Sequence, residues 1–326
     1  FFFKQKTAYE IYQCDWSSDV CSSDLLAQAY PSKPVRVVVS FPPGAGVDIV
    51  ARTVMPKLAD ALGQQFVIDN RAGASGNLGS EVAAHAPPDG YTLLFTPASV
   101  ASSQALYTKL NYNLVRDLEP ISNVAAAPFV LVVHPSLPVK TVKELIAMAK
   151  AKPGQLLYAS TGNGGSPHLA TEMFRQQAKI DITHIPYKGT PPAVTDLIAG
   201  QVSMMFANTL SVLPYVNSGR LRALAISSAK RSAAAPAIPT IAENGMPGFD
   251  SVTWFGVLAP TGTPRDIIGK LSGELRRIVQ TKAMTEQLLA QGADPIGSTA
   301  EEFGARIKSD IAKWTVIIKT AGIKAE

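Results

Sequence analysis

The chain has 326 residues, of which 46% are apolar and 17% charged, so it can bury a large core and is neither disordered nor fibrous. No uninterrupted apolar run reaches the roughly 18 residues that a membrane-spanning helix requires. The formal net charge is only +5, and no cluster of Lys and Arg with interleaved aromatic residues occurs, which disfavours nucleic-acid binding.

The start of the chain differs in character from the rest. Residues 1–25 contain both cysteines, and aspartates interrupt their apolar residues, unlike the solid apolar segment of a secretory signal. This segment resembles translated sequencing-adapter sequence, so we exclude it from reasoning about the fold. Ala27 and Ala29 form the small-x-small pattern that signal peptidase accepts, which predicts cleavage before Tyr30. We therefore interpret residues 1–29 as a non-native leader followed by a remnant of an export signal.

From residue 31 onward, short β-branched runs alternate with amphipathic helical stretches. The predicted strands are Val35–Phe41, Gln65–Asp69, Thr92–Thr96, Phe129–His134, Leu156–Ser160, Ile182–Pro186, Val202–Ala207, Leu221–Ser227 and Val252–Leu258. The predicted helices are Val47–Leu62, Thr141–Ala151, Pro167–Ala178, Pro191–Ala199, Pro264–Ile278, Thr281–Gln291 and Thr299–Ile318. Short, nearly continuous apolar strands indicate parallel strands covered on both faces, and so an α/β fold. So many strands favour two sheets in two lobes, with the C-terminal helices packed back on the first lobe.

The first candidate site lies between the first strand and the first helix. The segment reads Ser40-Phe41-Pro42-Pro43-Gly44-Ala45-Gly46-Val47-Asp48. Glycine lets the backbone approach a ligand closely, and the free N–H groups of the first helical turn favour an anion. A carboxylate or a phosphate is the predicted ligand, and an ordinary strand-to-helix turn is the alternative.

A dinucleotide site is a rival interpretation of the same segment. Gly44 and Gly46 open the helix, and Asp69 ends the next strand about twenty residues later, as in the Rossmann fingerprint. Ile49, however, occupies the position of the third glycine. A bulky side chain there obstructs close packing of helix on strand, which disfavours NAD binding.

Two further glycine-rich segments precede helices. Residues 159–168 follow a strand and read ASTGNGGSPH, with Pro167 suited to the first turn of the helix. No Walker lysine follows, which disfavours a nucleoside triphosphate. Residues 73–76 read GASG and fall short of G-x-S-x-G, so no nucleophile elbow is predicted.

No convincing set of catalytic residues occurs in the sequence. His168 and Glu172 are four residues apart on a predicted helix, as metal ligands can be, but no H-E-x-x-H motif accompanies them. The other three histidines are isolated along the sequence and are expected at the surface or in the core. The pattern therefore favours binding over catalysis, and no cofactor or metal site is predicted.

Four segments in fixed order together resemble a known family. They read SFPPGAGVDIVAR, FVIDNRAGASGNLGSEVAAHAPPDGYTLLF, LLYASTGNGGSPHLATEMF and HIPYKGTPPAVTDLIAGQVSMMF. The combination is similar to the Bug family, the extracytoplasmic solute-binding proteins of tripartite tricarboxylate transporters, over residues 31 to about 322. The resemblance implies a two-lobed α/β periplasmic binding protein, a type II-like Venus-flytrap clamshell with C-terminal helices. Such a protein closes on a small organic carboxylate held largely by backbone N–H groups.

The resemblance also implies a set of ligand-binding residues. The first loop supplies Phe41, Pro43, Gly44, Ala45, Gly46 and Asp48, and the second supplies Thr161, Gly162, Gly164, Gly165, Ser166 and His168. Other cleft-facing positions are Ser75, Ser99, Tyr187, Lys188, Gly189, Asp196 and Asn208. Ala45 and Ser99 depart from the residues usual in the family, which leaves the identity of the ligand open. For Lys188 and Asp196, a solvated turn and a helix-face charge are the alternatives.

The same resemblance implies a division of the chain. Residues 30–131 and 252–326 form lobe 1 and residues 132–251 form lobe 2, with the strands near Phe129–His134 and Val252–Leu258 crossing between them as a hinge. We expect a periplasmic monomer that binds a small carboxylate and, as a further partner, membrane permease subunits. Two alternatives stay open, an α/β enzyme acting on an anionic substrate and a periplasmic sensory ligand-binding module.

Overall fold

The computed structural model describes residues 30–324. Within them the strands are β1 Val35–Val39, β2 Phe66–Asn70, β3 Thr92–Pro97, β4 Leu118–Val133, β5 Leu157–Ser160, β6 Thr183–Pro186, β7 Met204–Asn208, β8 Arg222–Ile226, β9 Val252–Pro260 and β10 Asp294–Pro295. The helices are α1 Gly46–Leu62, α2 Asn77–Ala84, α3 Ser99–Leu106, α4 Val142–Ala151, α5 Ser166–Ala178, α6 Thr190–Ile198, α7 Thr209–Asn217, α8 Arg265–Val279, α9 Lys282–Ala290 and α10 Ala300–Ala321. The predicted leader and signal remnant, residues 1–29, lie outside the described residues.

The strands form one mixed sheet that β4 divides into two halves. Their order is β2-β1-β3-β9-β4-β7-β5-β6, with β8 and β10 also paired to β4. Up to Pro128, β4 pairs with β9, and from Phe129 onward it pairs with β7 and β8. We call β1–β3, β9, β10 and residues 118–128 the first half-sheet. The second half-sheet comprises β5–β8 and residues 129–133.

The prediction of parallel strands throughout is wrong at the centre of the sheet. The outer pairs of each half are parallel, but β3–β9, β4–β9, β4–β7 and β4–β8 are antiparallel. The chain passes into the second half-sheet along β4 and returns to the first along β9. Because β9 lies beside β4 on this return, the two strands run in opposite directions.

The two predicted sheets are present as the two half-sheets, but they are continuous with each other because β4 belongs to both. The predicted strand Phe129–His134 corresponds only to the last five residues of β4, Leu118–Val133. The other predicted strands agree with the structure to within about two residues at each end. Helices α3 and α7 were not predicted.

Both faces of each half-sheet are covered by apolar side chains, which explains why the strands are apolar at successive positions. In β1, Val37 and Val39 lie in a core shared with α1 and α8. Val38 points to the opposite face and lies in a core with Trp254 and Phe303. Two further cores cover the second half-sheet in the same way. Among the described helices, none combines the length and hydropathy needed to cross a membrane.

Helix α10 contacts the cores of both halves. It begins with a capping box in which the Thr299 hydroxyl accepts from the Glu302 amide and the Glu302 carboxylate accepts from the Thr299 amide. Phe303 is packed in a core of the first half, and Trp314 lies in a core of the second. The C-terminal helices therefore pack on the first half, as predicted, but α10 extends beyond it and joins the two.

Candidate functional site

Two loops lie at the boundary between the half-sheets. Loop 1 (residues 41–45) follows β1, and loop 2 (residues 161–165) follows β5. β1 runs in the same direction as β4, toward the point at which β4 passes into the second half-sheet. β5 runs against β4 and approaches that point from the other side. Both loops therefore lie at the carboxyl ends of parallel strands, where open α/β sheets bind ligands.

The two loops share the backbone conformation of their last two residues. Gly44 and Gly164 adopt the left-handed region, with φ of 81° and 69°, which favours glycine at both positions. The residues that follow, Ala45 and Gly165, cap their helices at φ −67°, ψ 154° and φ −65°, ψ 156°. The chain thus leaves both strands, turns and enters a helix in the same way.

Each loop is closed by a side chain from the first turn of its own helix. The Gly44 N–H donates to Asp48 Oδ2 at 2.8 Å, and the Gly164 N–H donates to His168 Nδ1 at 2.9 Å. Both acceptor residues are buried, with 2% and 5% of their surface exposed. Each side chain thus directs an acceptor atom at the backbone of its loop and exposes little of its surface to solvent.

Asp48 is fixed by several donors at once. Its carboxylate accepts from Arg52 Nε at 3.0 Å and from Asn70 Nδ2 at 2.9 Å, in addition to the Gly44 N–H. Asn70 Nδ2 also donates to the Phe41 carbonyl. Burial alone would raise the pKa of Asp48, but the hydrogen bonds from Arg52, Gly44 and Asn70 hold it below its ordinary value. Asp48 is therefore ionised and neutralised locally by Arg52.

His168 is buried and belongs to a cluster of three rings that lie nearly parallel to one another. Its ring lies 4.0 Å from that of His184 and nearly parallel to it, and the Tyr158 ring lies 4.8 Å from His184 and 6.2 Å from His168. His184 Nε2 forms a 2.6 Å hydrogen bond with Ser160 Oγ at the end of β5. Burial, followed by the charges of His184 and Arg175, lowers the pKa of His168 to about 3. The imidazole is therefore neutral, so Nδ1 can accept the Gly164 N–H.

The loops present backbone donors rather than cationic side chains. The first N–H groups of a helix have no acceptor within it, and they lie at the positive end of its dipole. In α1 these groups belong to Gly46, Val47 and Asp48, and in α5 to Ser166 and His168. Together they can hold a carboxylate without a full positive charge. The predicted residues Pro43, Ala45, Gly46, Thr161, Gly165 and Ser166 all lie in these loops or helix starts and are exposed or half-buried.

A third turn lies against loop 1. Ala74 and Ser75 both have positive φ, 46° and 56°, which is a strained conformation for residues other than glycine. A Cβ on Gly76 would lie 2.9 Å from the Phe41 ring, and Ser99 Oγ donates to the Ser75 carbonyl at 3.1 Å. The structure thus brings Phe41, Ser75 and Ser99 together in the first half.

The turn after β6 lies beside loop 2. A Cβ added to Gly162 would lie 3.6 Å from the carbonyl oxygen of Tyr187, so the two turns are in close contact. The Tyr187 hydroxyl donates to Asp196 Oδ2 at 2.8 Å, so one oxygen of this carboxylate is occupied by a neighbouring side chain. Lys188 is exposed, and Gly189 caps α6 with a φ of 104°.

Asn208 and Leu106 lie where the two sets of residues approach each other. Asn208 ends β7 opposite Phe129, where β4 enters the second half-sheet, and its Oδ1 is buried without a hydrogen bond among the described residues. A Cβ on Gly164 would overlap the side chain of Leu106, so loop 2 contacts the end of α3. α3 begins at Ser99, beside loop 1, and therefore spans the distance between the two sets of residues.

Sequence reasoning missed several residues of this arrangement. Arg52 is four residues after Asp48 on a helix, a spacing that could have revealed the ion pair. Asn70 ends β2 beside β1, and the parallel pairing of the two strands could have placed it near loop 1. No local signal pointed to His184 or Leu106, because their contacts with loop 2 depend on the tertiary fold.

Comparison with known proteins identifies the family. Residues 50–323 match the tripartite tricarboxylate transporter family receptor. Protein BugT of Bordetella pertussis is 41% identical over 300 residues, which is 91% of this chain and 92% of BugT. The structure of R. palustris Rpa4515 with adipate is similar at a TM-score of 0.82 and 36% identity, covering 90% of this chain and 99% of that one. MatC (Rpa3494) from Rhodopseudomonas palustris with bound malate is similar at a TM-score of 0.77 and 30% identity, covering 89% of this chain and 100% of that one. The resemblance to the Bug proteins is thereby confirmed, and the chain belongs to the tripartite tricarboxylate transporter receptor family.

Proposed function

We propose that the protein captures a small organic carboxylate in the periplasm and delivers it to the membrane subunits of a tripartite tricarboxylate transporter. The observation that carries this proposal is the pair of equivalent loops, each opening a helix, on opposite sides of the boundary that β4 crosses. Two structurally similar relatives hold adipate and malate, which are both small dicarboxylates.

Binding is proposed to close the two halves of the molecule on the ligand. Residues 30–131 and 252–326 form lobe 1, and residues 132–251 form lobe 2, with β4 and β9 as the hinge. Two of the four apolar cores consist only of lobe 1 residues and a third almost only of lobe 2 residues, which supports this division. The fourth core lies in lobe 2 and also includes Leu106 and the end of α10, which reach it from lobe 1. A ligand that accepts hydrogen bonds from both loops contacts the closed state more extensively than the open state, and so shifts the population toward closure.

The geometry favours binding over an enzymatic role for the same residues. His168 would be the natural general base in loop 2, but its Nδ1 accepts from Gly164 and its pKa is lowered to about 3. A general base works best with a pKa near the working pH. The family is a family of transport receptors, which agrees with this assignment.

The test is a titration of the purified protein with small carboxylates, among them adipate and malate, followed by calorimetry and by thermal unfolding. We expect at least one acid to raise the melting temperature by about 5 °C at about a hundredfold excess over its Kd. Adipamide, the uncharged analogue of adipate, should have no effect, because its ends are not ionised. No shift with any acid, or an equal shift with adipamide, would contradict the proposal.

A matched pair of glycine variants locates the site. Gly44 and Gly63 stand at the two ends of α1, both with positive φ (81° and 70°), and a Cβ on either would meet nothing within 4 Å. Gly44→Ala and Gly63→Ala should therefore lose similar stability, about 1 kcal/mol each. Only Gly44→Ala should weaken carboxylate binding, since only it distorts loop 1. Equal Kd values for the two variants would remove loop 1 from the site.

A further inference from the structure

Loops 1 and 2 correspond residue by residue, each position of loop 2 being numbered 120 higher than its counterpart. The Ala45 amide donates to the Pro42 carbonyl at 3.2 Å, and the Gly165 amide donates to the Gly162 carbonyl at 3.3 Å. A serine precedes each loop and forms a hydrogen bond with a neighbouring strand. Ser40 bonds to Thr96 of β3, and Ser160 bonds to His184 of β6. The correspondence extends into the helices, where Asp48 and His168 occupy the same position.

This equivalence separates what the two positions share from what they do not. Asp48 carries a negative charge, whereas the lowered pKa of His168 leaves its ring uncharged, so charge is not the common property. The acceptor is common: each side chain receives the N–H of the glycine four residues earlier, at 2.8 Å and 2.9 Å. What the fold repeats in its two halves is therefore a hydrogen bond from a left-handed glycine to a buried acceptor.

We propose that Asp48 and His168 are a pair of positioning residues, which fix the shapes of loops 1 and 2 and do not themselves contact the ligand. The inference rests on the proposed function, since it concerns how the same site holds a carboxylate. A ligand held by backbone N–H groups is sensitive to small displacements of those groups. Loops ordered before the ligand arrives lose less entropy on binding.

The surroundings of Asp48 are consistent with this role. The carboxylate accepts from the Gly44 N–H, Arg52 and Asn70, and only 2% of the residue is exposed, which leaves little of it for a ligand. An uncompensated carboxylate under the α1 amides would repel an anionic ligand. Arg52 forms an ion pair with Asp48 at 3.0 Å and offsets that charge.

The surroundings of His168 lead to the same conclusion by different chemistry. The ring is held between the second half-sheet and loop 2 by its stack on His184. Burial penalises the charged imidazolium, so the ring keeps Nδ1 free of a proton and able to accept the Gly164 N–H. Loop 2 is thus closed by a neutral acceptor, and no negative charge lies under the N–H groups of α5.

Substitutions at His168 test the acceptor directly. In His168→Asn the amide oxygen can take the place of Nδ1, in His168→Gln it reaches instead to the position of Nε2, and His168→Ala has no acceptor. All three lose the stack on His184 and should unfold at lower temperature. We expect His168→Asn to bind the carboxylate within about threefold of the unmodified protein, and the other two to bind about tenfold or more weakly. Equal Kd values for the Asn and Ala variants would overturn the proposal for loop 2.

Substitutions at Asp48 test whether the acceptor or the charge matters. Asp48→Asn keeps an oxygen for the Gly44 N–H and removes the charge, whereas Asp48→Ala removes both. We expect Asp48→Asn to bind within about threefold of the unmodified protein and Asp48→Ala about tenfold more weakly. If Asp48→Asn loses as much affinity as Asp48→Ala, the charge itself acts on the ligand and the proposal fails for loop 1.

Asp117 provides a matched control outside the site. Its carboxylate also accepts a backbone N–H from four residues away, that of Asn113, and is paired with Arg116. It precedes β4 at the end remote from the crossing point. Asp117→Ala should therefore lower the melting temperature and leave the Kd unchanged. A loss of affinity equal to that of Asp48→Ala would show a general effect of destabilisation and would overturn the positioning role.

Hydrogen exchange distinguishes failure of this inference from failure of the proposed function, because it needs no ligand. In Asp48→Ala the amide of Gly44 should exchange about tenfold or more faster than in the unmodified protein, and in His168→Ala the amide of Gly164 should do so. Neither variant should change the exchange of the other loop's amide. In the Asn variants the same amides should stay protected. Unchanged exchange in the Ala variants overturns the inference even where carboxylates bind. Faster exchange supports the inference even where no tested acid binds.

Discussion

At the scale of single residues, the buried imidazole of His168 couples the stability of the protein to pH. Burial, then His184 and Arg175, lowers the pKa of His168 to about 3, against about 6.5 in an unfolded chain. Between these values the unfolded chain binds a proton that the folded protein does not. Stability therefore rises with pH across this window and is lost as pH falls from about 6.5 toward 3.

The variant His168→Asn removes this titration and provides the measurement. At about pH 7 it should unfold at a lower temperature than the unmodified protein, because it loses the ring stack. As the pH is lowered to about 4, only the unmodified protein carries the penalty of this buried histidine, so the difference in melting temperature should narrow. Calorimetric scans across this range test the expectation, and a constant difference would contradict it.

At the scale of elements, the sequence predicted those helices and strands whose apolar pattern is regular. Residues 118–128 of β4 were missed because Pro120 and Asn123 interrupt the apolar pattern, and the register against β9 shifts twice there. Helix α3 was missed because its sequence, SVASSQAL, is buried on nearly all sides and has no amphipathic period. The antiparallel centre could not be predicted, since strands covered on both faces look alike in either direction.

The contact between β9 and α10 also depends on residues far apart in sequence. A Cβ on Gly256 would overlap the ring of Phe303, so the absence of a side chain in β9 is what allows α10 to pack closely. Nearby, Trp254 Nε1 donates to Asp310 Oδ2 at 2.8 Å and fixes the same helix. Close packing at Gly256 thus determines where α10 lies across the two halves.

Gly256→Ala should destabilise the protein by about 1–3 kcal/mol, because the added methyl group displaces the Phe303 ring or moves α10. Gly273 is the matched control, an exposed helical glycine of α8 at which a Cβ would meet nothing within 4 Å. Gly273→Ala should raise stability by up to about 1 kcal/mol. Urea unfolding of the two variants checks the opposite signs, and a neutral result at Gly256 would contradict the packing argument.

At the scale of the whole molecule, the two glycine loops were the part of the candidate site that sequence could predict, since each is a local strand-turn-helix pattern. Their partners could not be predicted locally. His184 meets His168 only because β6 pairs with β5, and Leu106 meets Gly164 only because α3 reaches across the boundary. Of these two contacts, that of Leu106 connects the two halves, whereas His184 and His168 both belong to the second.

Leu106 is the side chain through which α3 contacts loop 2, and it lies in a core of the second half-sheet although α3 follows β3 of the first. Leu106→Ala should cost about 2–5 kcal/mol and weaken the link between the halves. If the halves move as lobes, removing this contact shifts the population toward the open form.

The radius of gyration of the Leu106→Ala variant, measured by small-angle scattering, should then be larger than that of the unmodified protein without ligand. It should return toward that value with a saturating carboxylate. Leu145→Ala, a truncation of a fully buried leucine of α4 in the same core, should lower the melting temperature without this change in size. Equal radii for the Leu106 variant and the unmodified protein would show that α3 does not restrain the opening of the molecule.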